Sequence, residues 1–82
     1  MTTSAQISVY PLRQEHLGPA VESVRNALQT RGLTPQVGPM STTVSGESGI
    51  LFAALADAFA RAASNGEVVM TITVSNACPF PS

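Results

Sequence analysis

The chain has 82 residues, of which four are arginine, none is lysine and five are acidic, and its formal net charge is −1 at pH 7. This length predicts a single domain, with an ordered core of about residues 5–79. The charge balance excludes the basic surface of a nucleic-acid-binding domain and equally disfavours an anionic membrane surface. Only 11% of the residues are charged and 44% are apolar, whereas about a quarter are charged in an average protein. We therefore expect so small a domain to hide surface in a homodimer or homotetramer.

No segment of the sequence is typical of membrane insertion or secretion. No run approaches the roughly 20 apolar residues of a membrane span, and residues 1–4 lack the basic and apolar regions of a signal peptide. Cys78 is the single cysteine, so it cannot form an internal disulfide or a multi-cysteine metal site. These features predict a soluble cytoplasmic domain.

The first third of the chain predicts a strand followed by a helix. In residues 5–12, apolar Ile7 and Val9 alternate with polar neighbours, as in a half-buried strand. Residues 15–31 instead repeat at the helical period, and Gly32 is suited to end that helix. Pro19 is compatible with the helix only in its first turn. The apolar residues at helical spacing are Leu17, Val21, Val24 and Leu28.

Residues 34–46 predict two strands joined by a turn. Pro35 has no N–H for a ladder bond, so the short strand of residues 34–37 should lie at a sheet edge. Gly38 and Pro39 indicate the turn, because Gly reaches unusual backbone angles and Pro fixes its own.

The strand of residues 40–45 has one face that would pack and one face of hydroxyl groups. The two alternating sets are Met40, Thr42 and Val44 on one side, and Ser41, Thr43 and Ser45 on the other. An uncharged, all-hydroxyl face is unusual for plain solvent exposure, so we expect it to meet a ligand or another subunit. The alternative is that these hydroxyls pair across strands or face water.

The last part of the chain predicts a helix of residues 48–64 and a strand of residues 67–75. Asp57 and Arg61 would form an i,i+4 ion pair on the exposed side of the helix. The strand is rich in β-branched residues, which indicates that it is well buried. The apolar stripe of the helix comprises Leu51, Leu55, Ala58, Phe59 and Ala62.

The element order βαββαβ predicts a ferredoxin-like α+β fold. Right-handed crossovers would place both helices on one face of a four-stranded antiparallel sheet. The face toward the helices would contain Ile7, Val9, Val37, Val44, Met70, Ile72 and Val74. The open face would contain the uncharged residues Gln6, Ser8, Tyr10, Ser41, Thr43, Ser45, Thr71, Thr73 and Ser75.

Three short motifs in order resemble the YkoF-like thiamine/hydroxymethylpyrimidine-binding domains. They are the segment QISVYPL of residues 6–12, the pattern MSTxVxG of residues 40–46, and residues 68–70 with the Cys78-Pro79 ending. The resemblance covers residues 5–79. It implies a ferredoxin-like fold, association through sheets, and non-covalent binding of thiamine or its hydroxymethylpyrimidine part without catalysis.

Two departures from this family pattern bear on assembly and on the ligand. YkoF carries two such domains in tandem and this chain has one, so equivalent packing would need a homodimer or a larger homo-oligomer. The family often has a basic residue before the glycine at Gly46, and this chain has Ser45. A phosphate contact by such a side chain is therefore not implied here.

An aminopyrimidine ring needs a flat contact, an acceptor for its amine and donors for its ring nitrogens. The hydroxyls of Ser41, Thr43 and Ser45 could supply the polar contacts, and Tyr10 could supply the ring contact. Glu47 could accept from the amine, or it could stabilise the N-terminus of the second helix.

Four further residues have a structural interpretation beside the functional one. Phe52 and Met40 would be pocket walls or plain core residues. The family-like ending implies that Asn76 and Cys78 border the pocket, although a lone cysteine is often a buried filler. The predicted ligand-binding set is therefore Tyr10, Met40, Ser41, Thr43, Ser45, Glu47, Phe52, Asn76 and Cys78.

Two other classes of function remain as alternatives to a binding module. A small enzyme would need a base beyond His16 and Glu47, and the sequence offers almost none. No metal-ligand spacing and no phosphate-binding lysine loop is present, so no catalytic residue, metal or cofactor is predicted. The second alternative is a structural domain that assembles through its sheet face and binds no small ligand.

Overall fold

The computed structural model describes residues 1–12, 18–64 and 66–77. Within these residues it contains four strands and two helices in the predicted order βαββαβ. The predicted helix start at residues 15–17, together with His16 and residues 78–82, lies outside the described residues. The elements are β1 (Thr2–Pro11), α1 (Gly18–Thr30), β2 (Gln36–Val37), β3 (Thr42–Glu47), α2 (Ser48–Ala63) and β4 (Val68–Ser75).

The four strands form one antiparallel sheet in the order β2-β3-β1-β4. This strand order and the two crossover helices make the fold a ferredoxin-like α+β fold, as predicted. The short strand β2 lies at the sheet edge, where the missing N–H of Pro35 costs no ladder bond. The other edge is β4, which pairs with β1 alone among the described strands.

The pairing register separates the two faces of the sheet as the alternation of side chains requires. Ile7 of β1 lies opposite Thr42 of β3 and Ile72 of β4, on the face toward the helices. The next residue, Gln6, lies opposite Thr43 and Thr73 on the open face. The uncharged open face predicted from the sequence is therefore assembled from three adjacent strands.

The core lies between the middle of the sheet and the two helices. Ala54 and Ala58 are fully buried, and their small side chains allow α2 to approach α1 closely. On the β4 side, Val68 and Met70 pack against this core, whereas Ile72 and Val74 are partly exposed. The largest fully buried side chains are Ile7, Val24, Leu28 and Leu51.

The helix ends follow their sequence signals. Pro19 is the second residue of α1, where its missing N–H would have no helical partner anyway. Gly32 follows α1 with a φ of 79°, a left-handed conformation that favours glycine at a helix C-terminus. Both predictions are confirmed.

The prediction that β4 is well buried is wrong. Ile72 and Val74 face the helices, yet each is 37% exposed, because β4 is an edge strand and the helices cover the central strands. Val37 is exposed for the same reason at the opposite edge. Phe59 was predicted in the apolar stripe of α2, and it is also about half exposed.

The predicted pair of Asp57 and Arg61 is also wrong. The Asp57 carboxylate instead lies 2.7 Å from the guanidinium of Arg31, the residue that follows α1. An ion pair between elements replaces the one predicted within α2. It joins the C-terminal end of α1 to the middle of α2.

Candidate functional site

A small pocket opens beside the end of β1 that does not pair with β3. β1 pairs with β3 only as far as Ile7, but it pairs with β4 as far as Pro11. Residues 38–41, just before β3, lie beside the part of β1 that β3 does not pair with, and Val21 of α1 lies there too. They enclose a cavity of about 130 Å³ that is open to solvent.

The turn that forms one wall of the pocket is held by its own backbone and by β1. The Gly38 N–H donates to the Ser41 carbonyl at 2.8 Å, which closes the turn. The Ser8 hydroxyl donates to the carbonyl of Met40 at 3.3 Å, and the Gln6 amide donates to the Ser41 hydroxyl at 3.2 Å. Two open-face side chains of β1 therefore position residues 38–41.

The pocket combines apolar walls with a few hydroxyl groups. Its apolar lining includes Val9, Val21 and Met40, and its polar lining includes Ser8 and Ser41; none of the lining residues that the structure describes is charged. A cavity of about 150 Å³ is known to admit benzene, whereas pockets for drug-sized ligands begin near 300 Å³. The size and chemistry of this pocket therefore suit one uncharged six-membered ring.

Three of the predicted site residues line this pocket. They are Tyr10 at the end of β1 and the neighbouring Met40 and Ser41 of the turn. Met40 is 81% exposed, so its interpretation as a core residue is wrong. The sequence motifs thus identified some of the residues that line the pocket.

Thr43 and Ser45 lie further along β3, outside the pocket lining. The Ser45 hydroxyl lies 2.8 Å from the hydroxyl of Ser4, its cross-strand neighbour. Thr43 is half-buried opposite Gln6. The alternative of cross-strand hydroxyl pairing is therefore present at Ser45, and a ligand contact by either residue stays a prediction.

Glu47 is the N-cap of α2. Its carboxylate accepts a hydrogen bond from the backbone N–H of Ile50 at 3.0 Å. Hydrogen bonds from the Gly49 and Ile50 backbone lower the pKa of Glu47 below its usual value, because they stabilise the charged form. The helix-stabilising role is thus present in the structure, while a contact with a ligand amine stays a prediction.

Phe52 and Asn76 lie away from the pocket. Phe52 is 54% exposed on α2, so its interpretation as a core residue is wrong. The Asn76 amide donates to the Met1 sulfur at 3.2 Å. Asn76 follows β4 at the end of the sheet opposite the pocket, and Cys78 lies outside the described residues.

Sequence reasoning missed Ser8, Val9 and Val21 as lining residues. Val21 was assigned to the helix stripe, and its approach to the turn depends on how α1 crosses the sheet. A weak signal was nevertheless available in the predicted lengths, because the first strand (residues 5–12) is longer than the third (residues 40–45), although the register between them was not predicted. Such a difference in strand length leaves a gap beside the longer strand.

Neither a metal site nor a membrane span is found in the part of the chain that the structure describes. No three histidine, cysteine or acidic side chains in residues 1–12, 18–64 and 66–77 are close enough to share a metal ion. Neither α1 nor α2 is both long and apolar enough to cross a bilayer.

The fold and the position of the pocket define a ferredoxin-like domain with a small open cavity beside its central strand. The chain belongs to the thiamine-binding protein family, whose sequence model matches residues 5–77. None of the curated protein sequences matches this chain.

Solved structures with the same fold come from several bacteria. Protein SP2199 from Streptococcus pneumoniae is 27% identical with a TM-score of 0.82, over 92% of this chain and 86% of that chain. A domain of unknown function, DUF77, from Bacillus cereus is 25% identical with a TM-score of 0.76, over 90% and 74%. A putative thiamine biosynthesis/salvage protein from Thermotoga maritima is 18% identical with a TM-score of 0.78, over 90% and 82%. At 18% identity the likeness shows the fold.

Proposed function

We propose that this protein is a cytoplasmic homo-oligomer that binds thiamine, or its hydroxymethylpyrimidine part, without transforming it. The pyrimidine ring would lie in the pocket between the end of β1 and residues 38–41. The observation that carries this proposal is a pocket of one-ring size, about 130 Å³, whose described lining residues are uncharged, in a member of the thiamine-binding protein family. The similar protein from Thermotoga maritima is described as a putative thiamine biosynthesis/salvage protein, which agrees with this ligand class.

The lining residues offer the contacts that an aminopyrimidine needs. Tyr10 supplies an aromatic ring for flat contact, and the thioether of Met40 is an adaptable apolar wall. The hydroxyls of Ser8 and Ser41 can each donate or accept, so they suit both the ring nitrogens and the exocyclic amine. The ring is thereby oriented by few polar groups in an otherwise apolar site.

The uncharged side chains of the described pocket lining favour one part of thiamine. A thiazolium ring or a phosphate would gain no ion pair from the lining residues in the described ranges. The position before Gly46 is Ser45, which adds no positive charge. Hydroxymethylpyrimidine should therefore retain most of the affinity of thiamine, and thiamine diphosphate should bind no more tightly than thiamine.

Isothermal titration with these three ligands tests the proposal. Ser41→Ala should weaken hydroxymethylpyrimidine binding by about 1 kcal/mol, roughly fivefold in Kd, because one hydrogen bond is lost. Thr73→Ala removes a hydroxyl from the same open face but outside the pocket, and it should leave the Kd unchanged. Absence of both heat and thermal shift at millimolar ligand would overturn the proposal and favour the structural domain that binds no small molecule.

A further inference from the structure

The backbone hydrogen bonds of β1 go to its two neighbouring strands in a fixed alternation. Successive residues of a central antiparallel strand direct their N–H and C=O groups to opposite neighbours. The Ser48 N–H donates to the Met1 carbonyl at 2.9 Å, so the odd-numbered residues of β1 bond toward β3. The Leu12 N–H donates to the Glu67 carbonyl at 2.8 Å, so the even-numbered residues bond toward β4.

Val9 is the residue at which this alternation leaves two backbone groups without a strand. The pairing of β1 with β3 ends at Ile7 and Thr42, and Val9 is the next odd-numbered residue. Its N–H and C=O therefore point toward the pocket, which Val9 lines. In the part of the chain that the structure describes, neither group has a hydrogen-bond partner. Val9 is only 8% exposed, and backbone groups at such buried positions are nearly always paired.

The interruption in the ladder is one residue long. Met40 would continue the register opposite Val9, but it lies in the turn and its carbonyl accepts from the Ser8 hydroxyl instead. Pro11, the next odd-numbered residue of β1, has no N–H to offer. The gap thus presents one donor and one acceptor, and residues 38–41 form its far wall. It is too short for an added strand and suits one small planar molecule.

An aminopyrimidine carries the complementary pair of groups on one edge. The ring nitrogen beside the amine accepts a hydrogen bond, and the exocyclic amine donates one. The two groups lie next to each other in the plane of the ring. A strand residue presents its N–H and C=O in the same direction, as it does to the opposite residue of a paired strand. Both hydrogen bonds can therefore form together.

We propose that the backbone of Val9 recognises this edge of the ligand. Its N–H donates to the ring nitrogen beside the amine, and its C=O accepts from the amine. The ring thereby takes the place of the missing β3 residue in the ladder. This inference rests on the proposed function and adds the groups that hold the ring. The second amine hydrogen and the other ring nitrogen remain for the hydroxyls of Ser8 and Ser41.

The walls of the cavity agree with a ring in this position. Because ladder bonds lie in the plane of the sheet, a ring bonded to Val9 has one face toward the helices and one toward the open face. Val21 of α1 lines the cavity on the helix side, and Tyr10 belongs to the open face. A ligand without the amine would displace water from the Val9 carbonyl and leave that carbonyl unpaired, which costs affinity.

Amide hydrogen exchange and NMR of the wild-type protein test the role of Val9. In the free protein the Val9 amide should exchange faster than the amides of Ile7 and Tyr10, which the register pairs with β3 and β4. Saturating hydroxymethylpyrimidine should slow the exchange of the Val9 amide by about tenfold or more and move its proton resonance downfield. Tyr10 is the matched control, because it lines the same pocket while its N–H bonds toward Val69 of β4. Its exchange should change much less.

A ligand analogue tests the carbonyl of Val9. Replacing the amine of hydroxymethylpyrimidine by a methoxy group removes the donor and places an oxygen opposite this carbonyl. Isothermal titration should give a Kd about tenfold higher or more. The ratio should persist in Ser41→Ala, because the backbone and not this hydroxyl recognises the amine. A ratio near one in Ser41→Ala would assign the amine to Ser41 and overturn the proposal.

The outcomes separate this inference from the ligand assignment. Hydroxymethylpyrimidine that binds in the titration without protecting or shifting the Val9 amide would overturn the role of Val9 and leave the proposed function standing. Equal affinity of wild type for the methoxy analogue would do the same. If thiamine, hydroxymethylpyrimidine and thiamine diphosphate all fail to bind, the proposed function is overturned and the role of Val9 with it. Binding with a protected Val9 amide and a weakened methoxy analogue would support both.

Discussion

Glu47 makes the stability of the start of α2 dependent on pH. Because the Gly49 and Ile50 backbone lowers its pKa in the folded state, its stabilising effect is present above the pKa of the unfolded chain. That effect is lost as the pH falls through the lower, folded-state pKa. Glu47→Gln should therefore lower the Tm at pH 7, and the difference from wild type should disappear in acid.

Thermal denaturation from pH 7 to pH 3 measures this effect. Glu22→Gln provides the control for loss of a surface carboxylate, since Glu22 is exposed, pairs with Arg25 and caps no helix. A Tm difference for Glu47→Gln that stays constant over the whole range would contradict the assigned role of the carboxylate.

At Gly46, β3 lies so close to the Leu33 side chain that any added side-chain atom would have to displace it. A Cβ atom added there would lie 2.6 Å from Cδ2 of Leu33. Gly46→Ala should therefore cost about 1 kcal/mol in the free energy of unfolding, through displacement of the Leu33 side chain. Gly18→Ala, where no atom lies within 4 Å of the added Cβ, is the matched control and should cost little.

A double-mutant cycle by urea denaturation identifies the cause. In a Leu33→Ala background the Gly46→Ala change should be nearly neutral, because the clashing side chain is gone. An unchanged cost in that background would show that the strain lies in the backbone of β3 instead.

Among the elements, the contact between the helices includes one ion pair. Arg31 and Asp57 are both partly exposed, so their pair should contribute about 0.5 kcal/mol and should weaken as salt screens it. Asp57→Asn is expected to lose this amount at low ionic strength and almost none at about 1 M salt. Urea denaturation at both salt concentrations checks the difference, and an equal loss at both would exclude a Coulombic origin.

The sequence patterns were sufficient for the type and order of every described element. Alternation of side chains assigned both faces of β3 correctly, and Pro35 correctly placed β2 at an edge. The burial of β4 was overestimated because alternation shows which side chains share a face but not whether a helix covers that face. The same limit applies to Phe59. Its helical spacing is compatible both with a buried position and with an exposed one.

At the scale of the whole molecule, the site could be predicted only in part. Tyr10, Met40 and Ser41 belong to two short motifs that resemble a known family, and the structure brings them together in one pocket. Ser8 and Val21 join them only through the strand register and the path of α1, which no local pattern specifies. A ligand contact by Asn76 stays a prediction, because Asn76 lies beside Met1 at the other end of the sheet, and Cys78 lies outside the described residues.

The unequal lengths of β1 and β3 have a consequence for how ligand preference can change. The wall formed by residues 38–41 is held by exposed hydrogen bonds to Ser8 and Gln6, whereas Ile7, which lines the inner side of the pocket, is buried in the core. Substitution of residues 38–41 should therefore change the shape of the cavity and leave the Tm of the domain unchanged. The proposed ligand selectivity would then depend on a turn that can be changed without loss of the fold.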